Sequence, residues 1–323
     1  MGQDFLFPNL NEYNYNPLND VLFKFIFGKE ERKQITIDFL NAVLEPSLGE
    51  AIKDLTLTGT EMNPENESDK LTRLDVACIL NTGEQVDVEV QVADEKNMAQ
   101  RTLYYWSQMY LMSLPAGKTY NDLKPSITVN LLDFSFLPQE EAHAVYGIYN
   151  LETGHQLTKD LAIHFLEIPK YAKLPVKPIL QMTKMERWLA YFANQLDHLR
   201  KEELAMSEAA IQNAMEAARL FLSNTEERRR YINREMARMD RISQLENALK
   251  EGREKGMAQG MAQGMAQGMA QGMAQGRAEG QEEGMLRMSR LIQILLQKGH
   301  TDEVQKALED PAARNVLFRK YNV

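Results

Sequence analysis

Cysteine is nearly absent from this 323-residue chain. Cys78 is the only one, which excludes an intramolecular disulfide and a zinc cluster built on thiolates. Its alternation with Val76 along a strand-like run predicts a buried, inert position. The five histidines, His143, His155, His164, His198 and His300, are scattered, with no pair at metal-ligand spacing, so structural or surface roles are expected. There is no P-loop, no dinucleotide fingerprint and no Gly-x-Ser-x-Gly elbow, so nucleotide-driven and esterase-type chemistry have no support. No apolar run reaches about 18 residues, and no membrane span is expected. Met1-Gly2-Gln3-Asp4-Phe5 lacks the basic-then-apolar order of a signal peptide, so a soluble cytoplasmic protein is expected. Positive charge is outnumbered, 37 Lys and Arg against 46 Asp and Glu, for a net charge of −9. That balance argues against tight nonspecific nucleic-acid binding over a broad surface, but it leaves room for a local basic strip.

The most informative passage is a pair of short runs, Leu74-Asp75-Val76-Ala77-Cys78 and Val86-Asp87-Val88-Glu89-Val90-Gln91-Val92. Both alternate apolar and polar residues, the pattern of half-buried strands. Asn81-Thr82-Gly83-Glu84 between them carries a glycine for a positive φ, which predicts a hairpin. Alternation puts Asp87, Glu89 and Gln91 on one face, neighbours about 6.6 Å apart along the strand. With Asp75 on the same face of the adjoining strand, two carboxylates converge. Such a pair with a polar neighbour suits Mg²⁺ and the activation of water against a phosphodiester. Acidic residues on a polar hairpin face are, however, usually just solvated.

The surroundings favour a site. A helix is predicted over Asn97 to Ser113, carrying Arg101, Tyr104, Tyr105, Trp106, Gln108 and Tyr110, and an apolar strand over Ile127 to Leu132 follows. Preceded by a helix capped at Asn19, this is a compact α/β unit with the polar cluster at its centre.

The run Asn19-Asp20-Val21-Leu22-Phe23-Lys24-Phe25-Ile26-Phe27-Gly28 resembles the opening motif of a bacterial family. It is the Rpn-type recombination-promoting nuclease and transposase family of the PD-(D/E)XK superfamily. The likeness continues through Leu74-Asp75-Val76, Val88-Glu89-Val90-Gln91, Arg101 with Tyr104-Tyr105, Ile163 to Lys170, and Glu186-Arg187-Trp188-Leu189. It covers roughly residues 15 to 195 in matching order and spacing. The resemblance implies a restriction-endonuclease-like core, a mixed sheet flanked by helices, with a metal-dependent DNA phosphodiesterase site. It makes Asp75 and Glu89 the ligands of Mg²⁺, with Mn²⁺ or Ca²⁺ as alternatives, and places Gln91 where most of the superfamily has lysine. Lys24 and Arg101 are the candidates for the missing cation, and Asp20 and Tyr105 are accessory candidates.

Boundaries follow from pattern and composition. Residues 1–14 form an arm, 15–200 the nuclease-like domain, 201–251 a helical extension, 252–284 a low-complexity repeat and 285–323 short closing helices. Asn63 to Asp69 is a loop by its turn residues. Strands are expected over Val145 to Tyr149 and Leu161 to Ile168, and a helix over Lys29 to Leu44. In the repeat, glycine recurs every fourth residue from Gly252 to Gly284, nine in all, and five copies of Met-Ala-Gln-Gly fill the middle. Four residues turn a helix by about 400°, so the methionine row drifts about 40° per repeat. At about 1 kcal/mol per glycine against alanine, nine cost about 9 kcal/mol. A spacer, or a helix held in a homo-oligomer, is therefore expected. Two short amphipathic helices, Met285 to Leu296 and Asp302 to Leu308, are expected beyond it. Arg228, Arg229, Arg230, Arg234, Arg238 and Arg241 lie on a mixed-charge helical stretch, solvated by default, with a DNA-backbone contact as the sharper alternative.

Two functions are compatible with these features. One is a metal-dependent DNA endonuclease acting in recombination or on mobile elements. The other is a catalytically silent nuclease fold that binds DNA or assembles through its tail.

Overall fold

The computed structural model describes residues 10, 11, 14–59, 61, 62, 72–114 and 116–323. Most of the N-terminal arm and the loop from Asn63 to Asp69 lie outside the described residues. The chain divides into two compact units, Met1–Leu245 and Glu246–Val323.

The first unit is built on a six-stranded mixed sheet of order β1-β4-β5-β6-β8-β7. Its strands are β1 (Leu55–Leu57), β4 (Val76–Leu80), β5 (Gln85–Gln91), β6 (Ser126–Leu132), β7 (His143–Tyr149) and β8 (Gln156–Glu167). A two-stranded ladder, β2 (Glu61–Met62) with β3 (Thr72–Arg73), stands apart. The predicted hairpin is β4 with β5, antiparallel, with Val76 opposite Val88 and Ala77 opposite Asp87. Gly83 turns it at φ +102°, a value that disfavours any residue with a Cβ. The strand β5 then pairs parallel with β6, and β6 parallel with β8. A parallel pair needs a crossover, and α3 (Met98–Met112) supplies it between β5 and β6.

One face of the sheet feeds the main core. Val76, Cys78, Val86, Val88, Val90, Val129 and Leu131 pack there with α1 (Asp20–Phe27), α2 (Lys33–Leu48), α5 (Lys184–Ala193), α6 (His198–Ser207) and α7 (Ala209–Ser223). Phe23, Phe27, Phe39, Trp188 and Phe192 form its aromatic centre, with ring centroids 4.5–6.2 Å apart. The helix predicted from Lys29 begins instead with a 3₁₀ turn, Glu30–Arg32, and runs on to Leu48, where Gly49 caps it at φ +79°.

The other face mixes polar residues with smaller apolar clusters and is covered by α3. Trp106 Nε1 donates to the Ser126 carbonyl at 2.9 Å, the Thr102 and Thr128 hydroxyls meet at 3.0 Å, and Tyr110 donates to Asp160 at 3.0 Å. Trp106 and Tyr110 thus serve as structural ties. Because α3 lies over it, β5 is buried on both faces. The alternation of β5 therefore marks an interior polar layer, where half-burial was expected.

The short helix α4 (Ile168–Ala172) follows β8 directly. At this junction Glu167 and Lys170 form a buried ion pair at 2.5 Å. Glu167 also accepts from the backbone N–H groups of Phe136 and Leu137, and Lys170 donates to the carbonyls of Leu137 and Gln139. The Ile163–Lys170 motif thus ties down the loop after β6. Beside it, His164 and His143 stack with a 3.0 Å contact between ring nitrogens, and burial pushes the His164 imidazole down to about 3.

The helix α8 is continuous over Thr225–Gln297. The glycine repeat is helical throughout, and each methionine of its five copies is more than half exposed. The stretch from Met285 is the end of this helix and not a separate short one. It is followed by α9 (Thr301–Glu309) and α10 (Pro311–Tyr321). Leu291, Leu295, Ala307 and Leu317 form the small core of the second unit.

Candidate active site

The site lies at the C-terminal end of β5, where the hairpin, α1 and α3 meet. Asp75 sits at a bend just before β4, so the ladder register carries it opposite Glu89. The two are tied reciprocally. The Asp75 N–H donates to Glu89 Oε1 at 3.1 Å, and the Val90 N–H donates to Asp75 Oδ2 at 2.9 Å. Gln91 Nε2 donates to Glu89 Oε2 at 3.1 Å. The convergence of Asp75, Glu89 and Gln91 expected from strand alternation is therefore present.

Both cations left open by the sequence reach these carboxylates. Lys24 comes from α1 and places Nζ 2.9 Å from Asp75 Oδ1. Arg101 comes from α3 and places Nη2 3.4 Å from Glu89 Oε2. Its guanidinium lies 5.2 Å from the ring centre of Tyr105, one helical turn on, a cation–π arrangement. Asp20 lies one turn before Lys24 in α1, and Arg234 of α8 holds it with Nε at 2.7 and 2.8 Å from its two oxygens.

Burial dominates the electrostatics. Glu89 is 2% exposed, and its carboxyl is pushed up to about 8, first by desolvation, then by the charge of Asp75, with Arg101 opposing. Asp87 is fully buried, and neither of its oxygens has a hydrogen-bonding partner among the described residues. Desolvation, then Glu89 and Asp75, hold it well above the usual carboxylate range. Asp87 thus lies behind Glu89 and away from the cleft. Burial and the neighbouring Glu89 also raise the Tyr105 hydroxyl.

This donor set fits a hard divalent cation. Mg²⁺ is commonly held by one or two carboxylates while keeping several waters. Asp75 and Glu89 offer those oxygens, and a divalent ion would offset the burial that raises the Glu89 carboxyl. No group of three His, Cys, Asp or Glu arranged to hold a metal occurs among the described residues, so water and substrate oxygens would complete the shell of an ion held by Asp75 and Glu89.

Residues 17–248 match the family described as PD-(D/E)XK nuclease family transposase. The chain belongs to this family. The match spans well over half the chain and ends inside α8, close to the end of the first compact unit. A six-stranded mixed sheet flanked by helices agrees with the restriction-endonuclease-like core of PD-(D/E)XK proteins. No curated protein and no solved structure matches the chain. Among the described residues no helix is long and apolar enough to cross a membrane.

The sequence left one part of the cleft open. Arg234, Arg238 and Arg241 of α8 line the same cleft, of about 260 Å³, as Asp75, Gln91 and Arg101. Their i, i+4, i+7 spacing was visible, but which surface that helical face meets is a tertiary fact.

Proposed function

We propose that this protein is a metal-dependent DNA endonuclease, using Mg²⁺ in the first instance, that acts in recombination or on mobile elements. The observation that carries the reading is the reciprocal Asp75–Glu89 pairing at a cleft, with a cation set against each carboxylate. Asp75 and Glu89 are the residues that would hold the ion. When bound, a divalent ion lowers the pKa of a water and polarises a phosphoryl oxygen. Gln91, already hydrogen-bonded to Glu89, orients the attacking water. Lys24 and Arg101 stand in for the lysine usual in the superfamily, stabilising negative charge that develops on the phosphoryl oxygens. The cytoplasm is the compartment we assign. The deciding assay is nicking of supercoiled plasmid with Mg²⁺, Mn²⁺, Ca²⁺ or chelator. Cleavage that survives chelation sinks the proposal.

A second reading has its own observation. Every carboxylate oxygen of Asp75 and Glu89 already has a partner within the protein, as a silent DNA-binding relic would retain. Tight DNA binding without nicking under any of the ions selects that reading.

Gln91→Lys tests the water-orienting role. A lysine at this place adds a cation beside Glu89, so nicking is expected to stay within about tenfold of wild type or to rise, while Gln91→Ala is expected to lose about 10²-fold. A folded Gln91→Lys protein with no activity would show that the amide hydrogen bond cannot be replaced by charge.

For the tail we propose homo-oligomerisation. The repeat exposes a winding methionine row, and its glycines have nothing within 4 Å of an added Cβ, so a second helix can approach closely. A chain ending near residue 250 is expected to keep its fold and its nicking, since every site residue lies in the first unit. In light scattering it is expected to drop to monomer mass while the full chain does not. Equal association states for the two removes the assembly role.

A further inference from the structure

We propose that Arg234, Arg238 and Arg241 form a phosphate-gripping wall of the cleft and hold the backbone of the DNA strand presented to Asp75 and Glu89. This rests on the nuclease reading and names how the same site takes its substrate. The three residues share one face of α8, with a helical rise of about 6 and about 4.5 Å between successive members. They line the cavity that Asp75, Gln91 and Arg101 also line. The cations nearest the chemistry, Lys24 and Arg101, are set against the site carboxylates themselves and face the reacting phosphate. The arginine wall is the remaining positive surface along this cavity.

The wall is not the main anchor of its own helix. That task falls to a neighbouring face of α8, where Tyr231, Ile232 and Glu235 are buried. Glu235 accepts from Asn19 at 2.8 Å and from Asn16 at 3.4 Å, and the Tyr231 hydroxyl accepts from the Asn16 N–H at 2.6 Å. Asn19 also caps α1, so the wall is fixed to the element that carries Asp20 and Lys24. Each of the three arginines also pairs with a carboxylate. Arg234 pairs with Asp20, Arg238 with Asp133 at 3.4 Å and with Glu235 at 3.1 Å, and Arg241 with Glu95 at 2.7 Å. The side chain of Arg241 is 50% exposed and its pair with a single oxygen of Glu95 contributes little, whereas Arg234 grips both oxygens of Asp20 and is the more firmly held of the two. A phosphate, which matches the guanidinium fork with two parallel hydrogen bonds, can displace a rim carboxylate at small cost. The rim acids Asp20 and Glu95 thus mask the wall and suppress binding of other anions until a polyanion spans several arginines at once.

The test is fluorescence anisotropy of a labelled 30-mer DNA, single-stranded and duplex, over a KCl series with Mg²⁺. The full chain carries Glu89→Ala so that it binds without cutting. Arg234→Gln and Arg241→Gln are expected each to weaken binding about five- to tenfold and to reduce the salt slope by about one. Glu95→Gln, which unmasks Arg241, is expected to tighten binding several-fold. Unchanged affinity in the arginine variants overturns the wall, and so does absence of DNA binding in the parent. So does Glu95→Gln weakening binding as much as Arg241→Gln, because the pair is then a structural clasp. Plasmid nicking by the chain with Glu89 intact is scored separately. Arginine effects on binding with no nicking keep the wall and remove the nuclease reading, and nicking without arginine effects does the reverse.

Discussion

Asp75→Ala and Glu89→Ala are each expected to lower metal-dependent plasmid nicking by at least about 10³-fold, on the order of 4 kcal/mol of transition-state stabilisation. Each removes one of the two oxygen ligands that the cleft offers a divalent ion. Both proteins should still fold. Glu89 is a buried acid whose charge is opposed by desolvation and by Asp75, so its loss relieves a strain and leaves Arg101 with Tyr105 as a neighbour. Asp75→Ala frees Lys24, which is about one-third exposed and can turn to water. Circular dichroism and plasmid nicking on the same preparations check the claim. Nicking equal to wild type in both variants disproves the site, whatever the family.

The parts of this arrangement that local pattern controls were legible. Asn19 as a cap, the hairpin around Gly83, and a helix bounded by Asn97 and Ser113 all follow from turn chemistry and period, and they fall where expected. Strand alternation also put Glu89 and Gln91 on one face. What alternation cannot distinguish is a face turned to water from a face turned to a buried polar layer, since the residue types are the same. Only α3, placed by Trp106 and Thr102, makes Asp87 and Glu89 interior. The roles of Lys24 and Arg101 were left open for the same reason. Lys24 lies 51 residues before Asp75 and comes from another element. The arginine row was visible as a row, yet its partners Asp20 and Glu95 are 214 and 146 residues away. In the tail, the glycine penalty argued against a long helix standing alone, and the structure carries helix through all nine glycines. The final helix α10 lies beyond the two expected closing helices and opens on Pro311, whose missing N–H costs nothing in a first turn.

Stability should report the ion without any cleavage assay. The Glu89 carboxyl stands at about 8 in the folded protein, against about 4.5 for an ordinary glutamate. Between those values the folded chain holds a proton that the unfolded chain has released. Unfolding then releases a proton, so stability falls as pH rises from about 4.5 to 8. Asp87, also raised by burial, acts in the same direction, while the buried His164, held down at about 3, acts oppositely below about pH 6.5 and takes back part of the difference. At about 1.4 kcal/mol per pKa unit the loss from Glu89 amounts to a few kcal/mol, enough to move a thermal midpoint by several degrees. Wild type in chelator is therefore expected to melt markedly lower at pH 8.5 than at pH 5. Glu89→Gln, which cannot ionise, should show a much smaller difference. Mg²⁺ binds the ionised carboxylate, so at pH 8.5 it should raise the wild-type midpoint towards its pH 5 value and leave Glu89→Gln unmoved. Melting curves of the two proteins at both pH values, with Mg²⁺ or chelator, decide the matter. Parallel shifts in the two proteins mean that Glu89 neither carries the proton nor holds the ion.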